Sequence, residues 1–202
     1  MFTGIIEAQG QILSQHWSDG SLRMRLQTGM KDLIPGESVS VNGVCLTVTE
    51  PNDQGECTFF LSPETLEKSN LGRQATQSSL NLERALTLQT RLSGHWVQGH
   101  VDGIGLWKEA KVNSESVLVQ VSIPQRLSRY CVEKGSICIN GVSLTINFIA
   151  EDRDSSASET RLGITLIPHS WSHTNLSQLK AQDPINIEVD ILAKYVERLC
   201  RT

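Results

Sequence analysis

Val39-Ser40-Val41-Asn42-Gly43-Val44-Cys45-Leu46-Thr47-Val48 returns 98 residues later as Ile137-Cys138-Ile139-Asn140-Gly141-Val142-Ser143-Leu144-Thr145-Ile146. On either side of each Asn-Gly the apolar residues alternate with period two, and Asn-Gly between such runs is the type I′ hairpin signal. A two-residue turn fixes the register: Val41 faces Val44, Ser40 faces Cys45, Val39 faces Leu46 and Ser38 faces Thr47. Val39, Val41, Val44 and Leu46 then share the inner face. The opposite face carries Ser38, Ser40, Cys45 and Thr47, matched in the second copy by Ser136, Cys138, Ser143 and Thr145. Such a face is ordinarily solvated, but small hydroxyls and thiols without Lys or Glu also leave room for a flat ligand.

The repeat extends outward from this hairpin. Leu61-Ser62-Pro63-Glu64-Thr65 reappears as Leu166-Ile167-Pro168-His169-Ser170, and Leu80-Asn81-Leu82-Glu83 as Ile185-Asn186-Ile187-Glu188, both 105 residues on. The extra residues fall in the polar run Glu151 to Thr160, a loop by composition. More faintly, Thr3-Gly4-Ile5-Ile6-Glu7 matches Gln98-Gly99-His100-Val101-Asp102 at 95 residues. A duplication of about 95 residues with a boundary near Ser93-Gly94 accounts for these offsets. Pro63 and Pro168 open short helical turns. Leu192, Tyr195, Val196 and Leu199 form one helical stripe at the C-terminus with no counterpart in the first half, suited to self-association or to docking on its own barrel.

The 202 residues carry a net charge of -4, so neither phosphate backbones nor anionic lipid are attracted at long range. No apolar run reaches membrane-spanning length and Met1-Phe2-Thr3-Gly4 is unlike a signal peptide, from which a soluble cytoplasmic protein is expected. Five cysteines without CxxC spacing suggest neither a disulfide framework nor a zinc knuckle. His95 and His100, five apart, fall on opposite faces of a strand and make no shared metal site.

In order along the chain, Met1-Phe2-Thr3-Gly4-Ile5-Ile6-Glu7, Val41-Asn42-Gly43-Val44-Cys45-Leu46-Thr47-Val48, Gly94-His95-Trp96-Val97-Gln98-Gly99-His100-Val101-Asp102 and Gly141-Val142-Ser143-Leu144-Thr145 closely resemble the riboflavin synthase family. The resemblance covers nearly the whole chain. It implies an all-β protein of two tandem six-stranded Greek-key barrels related by internal duplication, with a C-terminal α-helix. The expected divisions are residues 1–94, 95–189 and 190–202, the last an oligomerisation helix for a homotrimer. Two molecules of 6,7-dimethyl-8-ribityllumazine would dismutate by four-carbon transfer, giving riboflavin and 5-amino-6-(D-ribitylamino)uracil. This is transferase chemistry without cofactor or metal. The N-terminal barrel of one subunit would face the C-terminal barrel of a neighbour, and neither nucleic acid nor membrane is an expected partner.

The resemblance also distributes roles. Ser38, Cys45 and His100 would line the N-terminal side, with Lys134, Ser143, Thr145 and Asp190 on the C-terminal side. His100 is the candidate for proton transfer and Cys45, or water, the candidate nucleophile. Gly4, Ile5, Ile6, Leu46, Thr47 and Phe60, Leu61, Ser62, Pro63, Glu64 and Thr65 would form the first pocket, with Gly99 and Val101 nearby. Ser143, Leu144, Thr145, Thr165, Leu166, Ile167, Pro168, His169 and Ser170 would form the second. The family usually has aspartate where this chain has Asn140, so no carboxylate role is available there. A non-catalytic lumazine or flavin carrier of the same fold is the alternative, and Cys45, His100 and Ser143 weigh against it.

Overall fold

The computed structural model describes residues 1–151 and 159–200. The first copy contains β1 (Ala8–Ser18), β2 (Ser21–Gln27), β3 (Ser38–Val41), β4 (Val44–Thr49), β5 (Glu56–Leu61) and β6 (Ser79–Arg84), with α1 (Pro63–Lys68) after β5. These strands close into an antiparallel barrel in the order β1-β2-β5-β4-β3-β6. The second copy repeats the arrangement with β7 (Gly103–Val112), β8 (Val117–Pro124), α2 (Gln125–Ser128), β9 (Ser136–Ile139), β10 (Val142–Glu151), β11 (Glu159–Leu166), α3 (Pro168–Ser172) and β12 (Pro184–Val189). Its order, β7-β8-β11-β10-β9-β12, is the same topology strand for strand. Closure leaves little sheet edge open to further pairing, apart from one gap in each wall.

The hairpin register is the one the Asn-Gly turns dictate: Val41↔Val44, Ser40↔Cys45, Val39↔Leu46 and Ser38↔Thr47, with Val142↔Ile139 through Thr145↔Ser136 in the second copy. Asn42 and Asn140 take the positive φ that a type I′ turn demands, 47° and 46°. Alternation sends Leu22, Met24 and Leu26 of β2 inward, where they join Val39, Val41, Val44, Leu46 and Phe59 in one core. Trp107, Val119, Val121, Ile137, Ile139 and Ile164 fill the other. Each such side chain contributes about 1.5–3 kcal/mol on burial. Cys57 and Cys131 belong to these cores, and burial pushes their thiols up to about 12 and about 11.

Of the polar run Glu151 to Thr160, both ends are strand, with Glu151 paired to Thr160, so strand pairing extends further than composition suggested. Its centre, 152–158, lies outside the described residues.

The barrels meet across an approximate twofold built from three pairs of asparagines at equivalent positions, Asn42/Asn140, Asn70/Asn175 and Asn81/Asn186. All six are buried. Asn81 Nδ2 donates to the carbonyl of Asn140 (2.9 Å) and Asn186 Nδ2 to that of Asn42 (2.8 Å). Asn70 N–H donates to Asn186 Oδ1 (2.6 Å) and Asn175 N–H to Asn81 Oδ1 (2.7 Å). A buried amide is costly unless bonded, so these reciprocal bonds fix how one barrel sits on the other.

After β12 comes α4 (Ile191–Cys200), started by Asp190, whose Oδ1 accepts from Leu192 N–H at 2.9 Å. Lys194 reaches back to Asp102 (2.6 Å) and Glu197 to Arg129 (3.1 Å). The apolar stripe does not dock on its own barrel: Leu192, Tyr195, Val196 and Leu199 are 56%, 61%, 61% and 81% exposed.

Candidate active site

Each barrel wall has a gap in its strand pairing at the same place, here called its opening. The β4–β5 ladder consists of Val48↔Phe59 and Thr49↔Thr58. Beyond it, toward the Asn-Gly turn, Val44–Thr47 and Phe60–Leu61 share no further pairs. The β10–β11 ladder likewise stops at Ile146↔Ile164, short of Val142–Thr145 and Thr165–Leu166. Exposed Thr47 and Phe60 border the first opening and exposed Thr145 and Thr165 the second. At its end stands α1 or α3, each with proline in its first turn. Ser62 caps α1, accepting from Thr65 N–H at 3.2 Å, whereas Ile167 takes that place before α3 with no side-chain cap. Pro63, Glu64, Pro168 and His169 are exposed on these turns, with Thr65 and Ser170 half-buried behind them.

Four of the expected contacts can be made only through the main chain. Leu46, Leu61, Leu144 and Leu166 point into the barrel cores and are buried, so only their main chains face an opening. The strand alternation that seats Thr47 and Thr145 outward turns their apolar neighbours in.

A correction concerns the segments that lead into the barrels, which are exchanged. Gly4, Ile5 and Ile6, grouped by sequence with the first pocket, lie on the second barrel. The Gly4 carbonyl accepts from Ser143 N–H (2.8 Å), and Ile6 packs on the second core. Reciprocally, the Gly99 carbonyl accepts from Cys45 N–H (2.8 Å), and Val101 packs on the first core. Both glycines have left-handed backbones (φ 78° and 77°), and a Cβ on either would come within 2.6 Å of the facing Cβ, that of Ser143 or of Cys45. No other residue allows this approach.

Two carboxylates that sequence reasoning passed over hold these segments. Glu83, 3% exposed, accepts from Thr3 N–H and Thr3 Oγ1 (both 2.6 Å) and from Gly4 N–H (2.9 Å). Glu188, also 3% exposed, accepts from the N–H groups of Gln98 (2.7 Å), Gly99 (2.9 Å) and His100 (3.1 Å). Burial raises both carboxyls, Glu188 to about 7, although the main-chain donors pull the other way. Their recurrence in Leu80-Asn81-Leu82-Glu83 and Ile185-Asn186-Ile187-Glu188 was the available signal: each glutamate follows a core-facing residue, Leu82 or Ile187, so it lies on the face away from the barrel core, and a carboxylate buried there needs partners.

With the scaffold matched, the two candidate sites differ in the side chains they present. Half-buried Cys45 stands beside Gly99, whose neighbour His100 is exposed; Ser38 is half-buried on the adjoining strand. Ser143 occupies the place of Cys45 in the second copy, with Ile5 in the place of His100. There the structure adds His95: its Nδ1 is hydrogen-bonded to Ser143 Oγ at 2.7 Å. Burial holds the His95 pKa below the usual imidazole value, partly offset by the charge of Asp190. Lys134 is exposed on the turn before β9, its N–H bonded to the Ile146 carbonyl at 2.7 Å. Asn140 is not part of either site. Its Oδ1 accepts from Asn186 N–H (2.8 Å) and Asn70 Nδ2 (3.2 Å) in the inter-barrel web, so its identity bears on how the barrels are joined.

Of the outward patch, Ser40 and Cys138 are buried between the barrels rather than presented to a ligand. No metal-ligating cluster occurs among the described residues. His169 and His173 stack face to face at 4.2 Å, which keeps their nitrogens from converging. None of the described helices is long and apolar enough to cross a membrane.

The lumazine binding domain family matches this chain twice, over residues 3–85 and 98–190. A riboflavin synthase of Mycobacterium bovis is 40% identical over 205 residues, covering 100% of this chain and 99% of that protein. Those of Photobacterium leiognathi and Bacillus subtilis are 37% and 36% identical, covering 100% and 98% of this chain and 89% of each relative. Among solved structures, LumP complexed with 6,7-dimethyl-8-(1'-D-ribityl)lumazine superposes with a TM-score of 0.81 at 21% identity, over 94% of this chain and 99% of LumP. LumP complexed with riboflavin gives 0.78 at 22% identity over the same shares. At such identity the likeness is one of fold.

Proposed function

Since this chain belongs to the riboflavin synthase family, we propose that it dismutates two 6,7-dimethyl-8-ribityllumazine molecules, a transferase reaction giving riboflavin and 5-amino-6-(D-ribitylamino)uracil. One lumazine donates a four-carbon unit and the other accepts it, so the protein must hold two copies of one heterocycle in different chemical settings. The observation that carries this assignment is the pair of equivalent wall openings that differ in their reactive groups: Cys45 and His100 at one, Ser143 and His95 at the other. A carrier has no need for that difference.

In this scheme the first opening takes one ring against Thr47, Phe60 and Val101, and the second takes the other against Ile6, Thr145 and Thr165. His100, exposed on a loop held by Glu188, moves a proton to or from the substrate, and Cys45 or a water adds to the ring. Ser38 supports the first ring; Lys134, Thr145 and Asp190 support the second. Opposed rings react as one unit, and holding both in place supplies about 7–11 kcal/mol toward the barrier.

Within one chain the two openings belong to different barrels, and a partner must bring them face to face. The exposed stripe Leu192, Tyr195, Val196 and Leu199 supplies the contact, in a homotrimer whose N-terminal barrels meet neighbouring C-terminal barrels. Residues 1–94, 95–189 and 190–202 are the corresponding units, in the cytoplasm.

Incubation of the protein with 6,7-dimethyl-8-ribityllumazine tests the assignment. Loss of lumazine absorbance with one riboflavin formed per two molecules consumed is expected. Binding without flavin formation would mark a carrier, and no binding would remove both.

A further inference from the structure

The geometry points to His95 as a positioning residue that turns the Ser143 hydroxyl outward, so that Ser143 donates a hydrogen bond to whatever fills the second opening; the role in turnover rests on the function proposed above. His95 is 7% exposed, and its ring has Ser143 Oγ as a partner at Nδ1 (2.7 Å) while Nε2 is buried with none. A neutral imidazole carries one N–H and one bare nitrogen. Were the proton on Nε2, an N–H would be buried without an acceptor, the rarer and costlier form of orphan. With the proton on Nδ1, His95 donates to Ser143 Oγ and Nε2 is left as an unfilled acceptor. Ser143 Oγ then accepts from the ring, and its own O–H is free to point away from it.

The site is built for this contact. His95 N–H donates to the Thr3 carbonyl at 3.1 Å, pinning the ring's backbone to the segment that Glu83 holds. Gly94, one residue earlier, lies so close to Thr3 and Ser143 that a Cβ there would collide with both. Ser143 itself is half-buried, so its hydroxyl reaches both the ring and the opening. No corresponding side-chain bond is made to Cys45 among the described residues, which confines the device to the second barrel.

The test has one arm without turnover and one with it. In the ¹⁵N spectrum of the intact protein, His95 is expected as the Nδ1–H tautomer near neutral pH, and Ser143→Ala is expected to shift that nitrogen. In turnover, His95→Ala should lower kcat about 10²-fold, the loss typical of one oriented donor, with KM little changed. His95→Asn, whose amide N–H₂ replaces the Nδ1 donor, should recover most of it. His95→Ala combined with Ser143→Ala should be no slower than Ser143→Ala alone. An Nε2–H tautomer, an asparagine variant as slow as the alanine one, or additive losses would each overturn the assignment. If His95→Ala does not fold, the tautomer and His95→Asn still decide. A wild-type protein that makes no flavin, with the Nδ1–H tautomer present, would instead remove the proposed function and leave the hydrogen-bond geometry standing.

Discussion

The two barrels agree in what holds them and disagree in what they offer a substrate. Asn42 answers Asn140, Asn70 answers Asn175, Asn81 answers Asn186, Glu83 answers Glu188 and Gly4 answers Gly99, most of their bonds being equivalent. Cys45 against Ser143, Ile5 against His100, and His95 at the second barrel break the symmetry. On the proposed function, the matched asparagines, glutamates and glycines are framework and the unmatched positions chemistry, and a substitution at either kind should behave accordingly.

The largest effects are expected at the unmatched positions of the first barrel. His100→Ala or Cys45→Ser should lower turnover by about 10²-fold or more while substrate still binds, which removal of transition-state help produces. Steady-state kinetics with separate binding measurements check this, and unchanged turnover in both would dissolve the distinction. Next in size, truncation before Ile191 should reduce self-association and turnover together, read by sedimentation and activity; a fully active monomer would show that one chain completes the site.

The matched positions should change stability instead. Asn175→Ala strips Asn42 Oδ1 and the Ser79 carbonyl of a donor, and Asn70→Ala does the same to Asn140 Oδ1 and the Pro184 carbonyl. Each should cost about 1–3 kcal/mol in denaturant unfolding, with Asn175→Ala the costlier because it also removes the acceptor of Asn81 Nδ2, a bond that Asn70 Oδ1 does not make. No cost for Asn70→Ala would mean that the twofold is geometric but not energetic.

Glu188 gives a smaller, pH-dependent effect. Burial raises its folded pKa from 4.5 to about 7, so between those values the folded chain keeps a proton that the unfolded chain releases. Its contribution to stability is full below about 4.5 and is lost as pH rises through about 7. Glu188→Gln cannot titrate and should flatten that part of the melting-temperature profile relative to wild type. An unchanged slope would assign it to other groups.

Much of this was legible in the chain. The two Asn-Gly turns with alternating flanks determined register, inner face and barrel duplication, because a one-residue slip would turn Val39 and Val41 out to water. The asparagines and glutamates stood in plain view as repeated identities, yet polar residues at repeated positions announce a partner without naming it. Which barrel receives Gly4 or Gly99 was not legible, since tandem and exchanged seating share one local sequence and differ only in contacts some 140 residues or 54 residues away. His95 was set aside as a metal ligand and given no site role because it has no partner in the repeat, and its place in the site comes from burial beside Ser143. For the inward leucines a motif match names positions, whereas strand alternation decides whether side chain or main chain faces outward.

Counting bound rings tests the twin-opening account most directly. Calorimetric titration with an unreactive ribityllumazine analogue should give two molecules per chain, and filling one opening by Thr47→Trp or Thr145→Trp should leave one each time. A wild-type stoichiometry of one, or both variants still binding two, would contradict it.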